Sequence, residues 1–440
     1  MPSNIDAKTS LRVFFSWRML EVLGAGFASG LPYSLTGSTM QGWMTSQGIN
    51  VKMLGLFTLV ALPYSFKFLW SPLMDRFIPP LLGRRRGWML VMQLLLVVGI
   101  LAMSQFSPKD NLLLVSILAF GVSFFSASQD IAVDAFRTET LRSNELGPGA
   151  SVGVLGYRIG LIVSGAVALI LADPTKGFNL SWHHVYLLMA ACMAVSVLIT
   201  LLAPEPKVNS KPPATLREAV VEPFGDFLRR RGAWEMLLFI FIFKLDVAMA
   251  QALPMPFFND LKFDLGDIGA VNKGFGLIAT IVGGLIGGAA MTRLGVYKSL
   301  WIFGLLQGLS GLSFTLLAIM GHNYPMMVTA IVVENACAGM GTTAYVAFIM
   351  SLCNKRFTAT QFALLSSLMA LAKAVVGPPA GWVAESCGWA WYYVIATLLA
   401  IPGLLLLLRY HKWQRVDDEA PLTVPPTLEV QVQATSKPTA

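Results

Sequence analysis

The chain has 440 residues, of which 55% are hydrophobic and only 13% are charged, and its formal net charge is +8. A typical soluble chain is about 25% charged, so this composition excludes a soluble enzyme, a disordered chain and a fibrous protein. The class that remains is a helical protein that crosses a membrane several times.

Twelve stretches of the sequence are apolar enough to cross a bilayer, whose core of about 30 Å requires about 20 residues of helix. They are predicted at residues 14–38, 52–72, 87–106, 111–136, 149–172, 183–203, 234–257, 268–291, 299–320, 325–351, 359–384 and 390–409. Six spans, a central polar segment and six further spans indicate an internal duplication. The predicted fold class is therefore an all-α polytopic membrane protein, with twelve transmembrane helices in two six-helix pseudo-symmetric bundles.

The positions of lysine and arginine predict how the chain lies in the membrane. With both termini in the cytoplasm, 23 of the 32 basic residues fall on the cytoplasmic side, five on the opposite side and four within the spans. Cytoplasmic loops of membrane proteins are enriched in these residues, so we expect both termini in the cytoplasm. The same enrichment accounts for the positive net charge without a nucleic-acid partner.

The spans divide the chain into four predicted regions. They are an N-terminal six-helix bundle at 1–203, a cytoplasmic linker at 204–233, a C-terminal six-helix bundle at 234–410 and a disordered tail at 411–440. In the linker, Thr215 and Glu218 form a capping box ahead of an amphipathic helix, which we expect to lie at the membrane surface and to break near Pro223. A tether between the bundles is the favoured role for this segment.

Eight ionisable side chains fall within the predicted spans, where each costs about 2.5–3.5 kcal/mol to insert. They are Lys67, Asp130, Asp134, Arg158, Lys244, Asp246, Glu334 and Lys373. For Lys67 and Asp134, which are nearer the surface, a structural salt bridge is the favoured interpretation. For the deepest five, a polar cavity that binds a ligand is favoured over salt bridges: Arg158, Lys244, Asp246, Glu334 and Lys373.

Other polar and aromatic residues join these charges as predicted ligand contacts. Gly30 and Tyr33 belong to a first span interrupted by glycine and Pro32, which is a feature of transporter binding sites. Tyr33 and Tyr157 are candidates for stacking on a sugar ring, with packing as the alternative role. The residues themselves thus predict the following substrate contacts: Gly30, Tyr33, Gln129, Tyr157, Arg158, Lys244, Glu334, Asn335 and Lys373.

A gate is predicted near the cytoplasmic ends of the spans. Two acids of span four, Asp130 and Asp134, lie four residues apart and share one helical face with Arg137. The loop after span two holds an acid–base pair followed by three arginines, although membrane topology alone explains the arginines. The predicted gating residues are Asp75, Arg76, Arg84, Asp134 and Arg137.

The sequence has no Walker A motif, no histidine–cysteine cluster with metal-ligand spacing and no Ser-His-Asp set at membrane depth. We therefore expect no ATP-driven mechanism, no metal, no other cofactor and no enzymatic function. A membrane enzyme and a channel are the alternatives from other classes. The enzyme would need such a set of residues, and paired charges at depth suit alternating access better than a continuous pore.

Several stretches of the chain resemble the AmpG-type muropeptide permeases, a family within the major facilitator superfamily. The shared stretches are 26–32, 66–72, 82–88, 126–135, 156–158, 271–273, 352–355 and 361–366. In the loop after span two, residues 77–82 separate the acid from the arginines, which departs from the superfamily's usual short motif. Acetyl-CoA-transporter-like proteins, which share the core at 129–134, and other facilitators of anionic solutes are the nearest alternatives.

The resemblance implies a major facilitator fold and the proton-driven import of N-acetylglucosamine–anhydro-N-acetylmuramyl peptides across the bacterial inner membrane. Such import feeds peptidoglycan recycling and β-lactamase induction. The implied partners are the muropeptide, protons and membrane lipids, and the implied state is a monomer. The resemblance adds Asn272 and Lys273 to the substrate contacts. The candidate proton carriers are Asp130 first, Glu334 second and Asp246 third, since a carrier acid must be buried yet near a cation.

Overall fold

The computed structural model describes residues 13–50, 53–54, 57–174, 177–207, 212–264, 267–268, 271–410 and 413. Two predicted substrate contacts, Lys273 and Lys373, have side chains outside this described part. Apart from Trp413, the tail predicted to be disordered, 411–440, also lies outside it.

Six helices, joined or extended by shorter helical segments at Met40–Ser46, Leu62–Phe66 and Ala168–Ala172, make up most of the first half of the described chain. The helices are α1 (Trp17–Ser34), α2 (Ser71–Arg76), α3 (Arg84–Gln105), α4 (Leu112–Thr140), α5 (Leu146–Ile162) and α6 (Trp182–Leu202). π-Helical turns carry α1 on to Ser46 and α5 on to Ala172. The predicted second span is a series of short helices rather than one, because Pro63 and Pro72 each stand at the start of a new helix.

The second half begins with the linker helix and continues with longer helices. They are α7 (Leu216–Leu228), α8 (Ala233–Ile242), α9 (Leu245–Ala250), α10 (Pro254–Asp260), α11 (Leu277–Met320), α12 (Tyr324–Leu352), α13 (Thr358–Leu398) and α14 (Ala400–Leu407). Gly295 in α11 and Gly388 in α13 have φ of +72° and +74°. Glycine adopts this left-handed conformation readily, and each helix is divided at its glycine into two segments. The two segments correspond to two predicted spans.

Seven helical stretches among the described residues are long and apolar enough to cross a membrane. They are Arg84–Gln105, Leu112–Thr140, Ser143–Ala172, Trp182–Leu202, Ala233–Asp260, Gly274–Met320 and Pro379–Leu407. One of them, Gly274–Met320, contains the division at Gly295 and therefore holds two of the predicted spans. α6 ends at Leu202 and α8 begins at Ala233, close to the predicted region boundaries at 203 and 233. The division into separate bundles stays a prediction.

The two halves of the chain share an apolar core at one end of the molecule, which we call the linker face because it bears α7. There Met19 of α1 belongs to the same buried cluster as Phe239 of α8 and Phe348 of α12. Away from this face each half has its own core, one formed by residues between 28 and 193 and the other by residues between 248 and 396. The halves are therefore joined at the linker face.

α1 and α5 cross with their backbones in contact, because glycines stand at the crossing. A Cβ added to Gly156 would overlap the carbonyl oxygen of Leu23, and one added to Gly30 would overlap that of Tyr157. Small residues allow such close approach between membrane helices. This packing alone accounts for Gly30, whose predicted contact with substrate stays a prediction. The same crossing sets Tyr33 beside Tyr157.

Replacing Gly156 by Val should destabilise the protein, because the new side chain would force the backbones of α1 and α5 apart. Overpacking of this kind typically costs about 1–3 kcal/mol. The measurement is the thermal unfolding midpoint of purified protein. Gly121→Val in α4 is the matched control, since a Cβ at Gly121 meets no atom within 4 Å. Equal midpoints for the two variants would contradict the assignment.

The linker helix α7 is one continuous helix, so the predicted break near Pro223 is wrong. Its start is capped as predicted, with the Glu218 N–H donating to Oγ1 of Thr215 at 3.1 Å. Proline removes one backbone hydrogen bond, but contacts on both sides of it fix the helix. Gln361 of α13 donates to the Pro223 carbonyl at 3.1 Å, and Arg356 pairs with Glu218.

Asp226 anchors the end of α7 to the second half. Its Oδ2 accepts hydrogen bonds from Arg230 at 2.5 Å and from Gln361 at 2.9 Å, and its Oδ1 accepts one from Asn354 at 3.1 Å. Burial alone would raise the pKa of Asp226, but the hydrogen bonds from Gln361 and Arg230 outweigh it and lower this pKa below the usual 3.8. The carboxylate is therefore charged at neutral pH.

The docking of α7 should accordingly be constant between pH 8 and pH 5. A carboxyl with a lowered pKa in the folded state stabilises that state above its unfolded pKa of 3.8, and the stabilisation is lost as pH falls through the lower folded value. Asp226→Asn should increase trypsin cleavage within 204–233 at neutral pH. Glu222→Gln is the control and should change cleavage little, because Glu222 makes an exposed ion pair with Arg356. Equal cleavage of the two variants would count against the anchor.

Candidate functional site

Three tyrosine rings gather in the first half of the chain, and we call them the tyrosine cluster. The ring centroid of Tyr33 lies 5.0 Å from that of Tyr64 and 6.4 Å from that of Tyr157. The Tyr64 hydroxyl is buried without a hydrogen-bond partner among the described residues. Aromatic faces with an unused hydroxyl are suited to a ligand with both apolar and polar surfaces, such as a sugar. Tyr64 was not predicted from the sequence, because nothing in its local pattern marks it.

The two acids of α4 have different surroundings. Asp130 accepts a hydrogen bond from the Ser29 hydroxyl of α1. Asp134 forms ion pairs with Arg137 at 2.8 Å and with Lys67 at 3.5 Å. The salt bridge predicted for Lys67 and Asp134 is confirmed, and Asp134 is the more strongly compensated acid of the two.

Two polar side chains of the first half, those of Arg158 and Gln129, have atoms without a hydrogen-bond partner among the described residues. The Arg158 Nε and both polar atoms of the Gln129 side chain are buried without a hydrogen-bond partner among the described residues. Buried polar groups are nearly always hydrogen-bonded, to protein or to water. Arg158, adjacent to Tyr157 in the sequence, is therefore a cation with unused hydrogen-bonding capacity. Gln129 has the same unused capacity in its amide.

The second half contributes a cation and two acids. The Lys244 ammonium donates to Oγ1 of Thr342 at 3.2 Å and lies 5.2 Å from the centre of the Tyr345 ring. It stands in the break between α8 and α9. Asp246 Oδ2 accepts from Gln307 at 2.9 Å. All these partners come from other helices, so the polar groups connect several spans.

Glu334 and Asn335 are neighbours on α12 with different partners. Glu334 Oε2 accepts from the Ser310 hydroxyl at 2.5 Å. The Asn335 amide donates to the Ile331 carbonyl at 2.8 Å and accepts from Thr280 at 3.0 Å. The amide is thus used in helix packing, and its predicted contact with substrate stays a prediction, as does that of Asn272 in the π-helical turn before α11.

A buried carboxylate joins the two halves at the linker face. Asp75, at the end of α2, is fully buried and accepts hydrogen bonds from the backbone N–H groups of Ala359 at 3.2 Å and Thr360 at 2.8 Å. The Thr360 hydroxyl donates to it as well, at 2.7 Å. These donors form the first turn of α13, where backbone N–H groups have no partner within the helix and a negative charge is favoured.

Arg85 completes this arrangement, which we call the latch. Its guanidinium lies 2.7 Å from Asp75 and 2.6 Å from Glu139 of α4. Arg84 pairs with Glu139 at 3.2 Å and donates to the Lys355 carbonyl. The sequence-based interpretation, in which topology alone accounts for the arginines, is therefore incomplete.

The partner of Asp75 is Arg85 rather than its chain neighbour Arg76. The Arg76 guanidinium lies instead over the Phe77 ring, 5.2 Å from its centre. The reason is the direction of the chain after α2, which turns through Leu82 and Gly83 in left-handed conformations and begins α3 with Arg85 facing inward. Glu205 accepts from the N–H of Arg85 at 2.7 Å and so helps to fix this start.

Comparisons with known proteins place the chain in a family. The family model of the Major Facilitator Superfamily matches it over residues 22–254 and 245–437. The chain belongs to the major facilitator superfamily. The fold class predicted from the sequence is thereby confirmed. Two solved structures share the fold of this chain. They are the proton:xylose symporter XylE, with a TM-score of 0.66 and 11% identity, and the E. coli fucose:proton symporter FucP, with 0.67 and 13%.

The match to XylE covers 91% of this chain and 96% of the XylE chain. The match to FucP covers 90% of this chain and 98% of the FucP chain. Among curated proteins, the anhydromuropeptide permease of Escherichia coli K12 is 49% identical over 90% of this chain and 80% of its own. A putative transporter of Rickettsia felis, AmpG 4, is 35% identical over 91% of this chain and 98% of its own. The resemblance to AmpG-type permeases is confirmed.

Proposed function

We propose that this facilitator imports anhydromuropeptides, the N-acetylglucosamine–anhydro-N-acetylmuramyl peptides, across the bacterial inner membrane by alternating access. The observation that carries the proposal is the 49% identity to the anhydromuropeptide permease of E. coli K12 over 90% of the chain. The import would supply peptidoglycan recycling and β-lactamase induction. The working unit would be a monomer surrounded by membrane lipids.

The linker face is the cytoplasmic side in this proposal. It bears the loops in which lysine and arginine are concentrated, as expected for cytoplasmic loops. The latch and the shared core join the two halves there. Ligand would then enter from the opposite end, where each half has its own core. Release into the cytoplasm would require the latch to open.

The proposed binding site consists of the tyrosine cluster and Arg158, which follows Tyr157 in the sequence. The tyrosine rings would stack on sugar rings, and the Arg158 guanidinium would hold a carboxylate of the ligand. The support is the partnerless Nε of Arg158 and the partnerless hydroxyl of Tyr64. Lys244, with Lys373, Asn272 and Lys273, would contact the ligand from the second half.

The test is uptake of radiolabelled anhydromuropeptide into vesicles that contain the purified full chain. We expect accumulation with an imposed proton gradient, acidic outside, and none when an ionophore collapses it. Empty vesicles are the control. Absence of binding and uptake by correctly folded protein would overturn the proposal. Uptake of acetyl-CoA or another anionic solute in its place would favour the alternative function.

Asp130 is the first candidate for the proton carrier. It is held by the Ser29 hydroxyl, whereas Asp134 forms two ion pairs. Asp130→Asn should keep counterflow, which needs no net proton movement, and should reduce gradient-driven accumulation at least tenfold. Ser29→Ala is a milder control that keeps the carboxyl. Full accumulation by Asp130→Asn would transfer the role to Glu334 or Asp246.

A further inference from the structure

An apolar groove lies where helices of the two halves of the chain meet, and we call it the junction groove. It shares no residue with the tyrosine cluster or the latch. Its walls come from α1 and α5 of the first half and from α11 of the second, and they include Met19, Leu20, Leu23, Leu155, Leu285 and Ile286. Its volume is about 630 Å³, within the roughly 300–1,000 Å³ of typical ligand sites.

The two halves touch directly beside this groove. A Cβ added to Gly288 of α11 would overlap the Ser151 hydroxyl of α5, and one added to Gly147 would overlap the Met291 side chain. Ser151 and Gly288 each adjoin a wall residue in the sequence. An occupant of the groove would therefore contact both halves of the chain.

The groove is open toward the bilayer. Three of its wall residues are largely exposed, with Phe15 at 89%, Leu20 at 52% and Ile286 at 56%. All three belong to predicted spans, whose outward side chains meet lipid rather than water. Along α1 the walls extend from Ser16 to Leu23, which is about 10 Å of helix. An acyl chain that lies along the helix would fill such a groove.

The polar groups of the groove stand at its linker-face end. The Ser16 hydroxyl is buried without a hydrogen-bond partner among the described residues and does not cap α1. Arg293 lies one helical turn beyond the wall residue Ala289, close to Met291 of the linker-face core, and this spacing places it on the same face of α11. It is exposed and forms no ion pair with another described residue.

This arrangement matches the chemistry of a phospholipid, which has apolar chains and a phosphate at one end. Arginine binds phosphate through paired hydrogen bonds, and no acid among the described residues lines the groove. Trp17, the first residue of α1, is 56% exposed, and tryptophan is enriched at the depth of the lipid headgroups. A muropeptide fits poorly, because its sugars and peptide require polar partners that these walls lack.

We propose that the junction groove binds one phospholipid, with an acyl chain between α1, α5 and α11 and with the phosphate held by Arg293 and the Ser16 hydroxyl. The lipid would contact both halves in the conformation that is closed at the linker face. The site does not depend on which solute the protein carries.

The test uses the purified full chain, freed of lipid in detergent, and a phosphatidylglycerol that carries a diazirine on one acyl chain. After photolysis at an equimolar ratio of lipid to protein, mass spectrometry should find the wall segments labelled at least fivefold more than the segment around Val98 of α3, which is 63% exposed. Equal labelling of the two regions would overturn the proposal. So would a dimer in which a second copy of the chain fills the groove and excludes the label.

Variants that fill the groove assign the label to it. Leu155→Trp should reduce labelling of the wall segments at least fivefold, because the indole occupies the space of the acyl chain. Val98→Trp is the matched control and should leave that labelling unchanged. Full labelling in folded Leu155→Trp would overturn the proposal. If that variant does not fold, Ile286→Trp, at a more exposed position of the wall, decides by the same criterion.

A second pair of variants tests the phosphate contact. Arg293→Gln should raise the half-saturating lipid concentration at least fivefold. Lys298→Gln is the matched control, because Lys298 is an exposed cation beyond the division of α11 at Gly295, and it should leave this concentration unchanged. Unlabelled diacylglycerol, which lacks the phosphate, should compete at least fivefold more weakly than unlabelled phosphatidylglycerol. Equal competition by the two lipids would overturn the phosphate contact. Muropeptide binding measured separately reports on the proposed function alone.

Discussion

Replacing Asp75 by Asn should open the linker face and abolish gradient-driven uptake. The carboxylate is fully buried and holds the start of α13 through two backbone N–H groups and the Thr360 hydroxyl. It also compensates Arg85 at 2.7 Å. Removing one partner of a buried ion pair costs about 3–5 kcal/mol. That cost falls on the conformation closed at the linker face, so the population of the open conformation should rise by roughly two to four powers of ten.

The native Cys353 reports on this change, because it lies half-buried just before α13. In a chain whose other cysteines are replaced by serine, Asp75→Asn should increase the rate of maleimide labelling of Cys353 at least tenfold. Arg76→Gln is the matched control, since the Arg76 guanidinium lies over Phe77 rather than in the latch. Unchanged labelling and uptake in folded Asp75→Asn would show that the latch does not control access.

Replacing Arg158 by Lys should abolish the binding of muropeptide almost as completely as replacing it by Gln. In the proposed site the guanidinium would hold a carboxylate through two parallel hydrogen bonds, a geometry that an ammonium does not reproduce. The loss of one buried partner of such a pair costs about 2–5 kcal/mol, or roughly 30-fold to more than 1,000-fold in affinity.

Equilibrium binding of labelled muropeptide to purified protein measures this loss, with the thermal unfolding midpoint as the check on folding. Arg217→Lys is the matched control, because Arg217 is an exposed residue of α7 and its replacement should leave affinity unchanged. Full affinity in Arg158→Lys would remove Arg158 from the proposed site. If Arg158→Lys does not fold, the affinity of folded Arg158→Gln decides the assignment.

The sequence predicts much of the fold because its strongest signals are local. The apolar spans follow from residue composition. The salt bridge between Lys67 and Asp134 was also predicted. In each case, residue type and depth in the membrane were enough to restrict the outcome.

The partners in the candidate site depend on contacts between distant parts of the chain, and these could not be predicted. Which arginine faces Asp75 is set by the left-handed turn at Gly83 and the start of α3. The position of Tyr64 beside Tyr33 follows from how α1 packs against the short helix Leu62–Phe66. The predicted break at Pro223 failed for a similar reason, because Gln361 supports the helix from another part of the chain.

The latch has an asymmetry that affects how it tolerates mutation. On one side it depends on the Asp75 side chain, which a single base change can remove. On the other side two of its three donors are peptide N–H groups, at Ala359 and Thr360, and any residue except proline supplies such a group. Substitutions that fit the buried position 359 should therefore keep this hydrogen bond so long as proline is avoided. A proline there would remove one donor while every charged residue of the latch stayed in place.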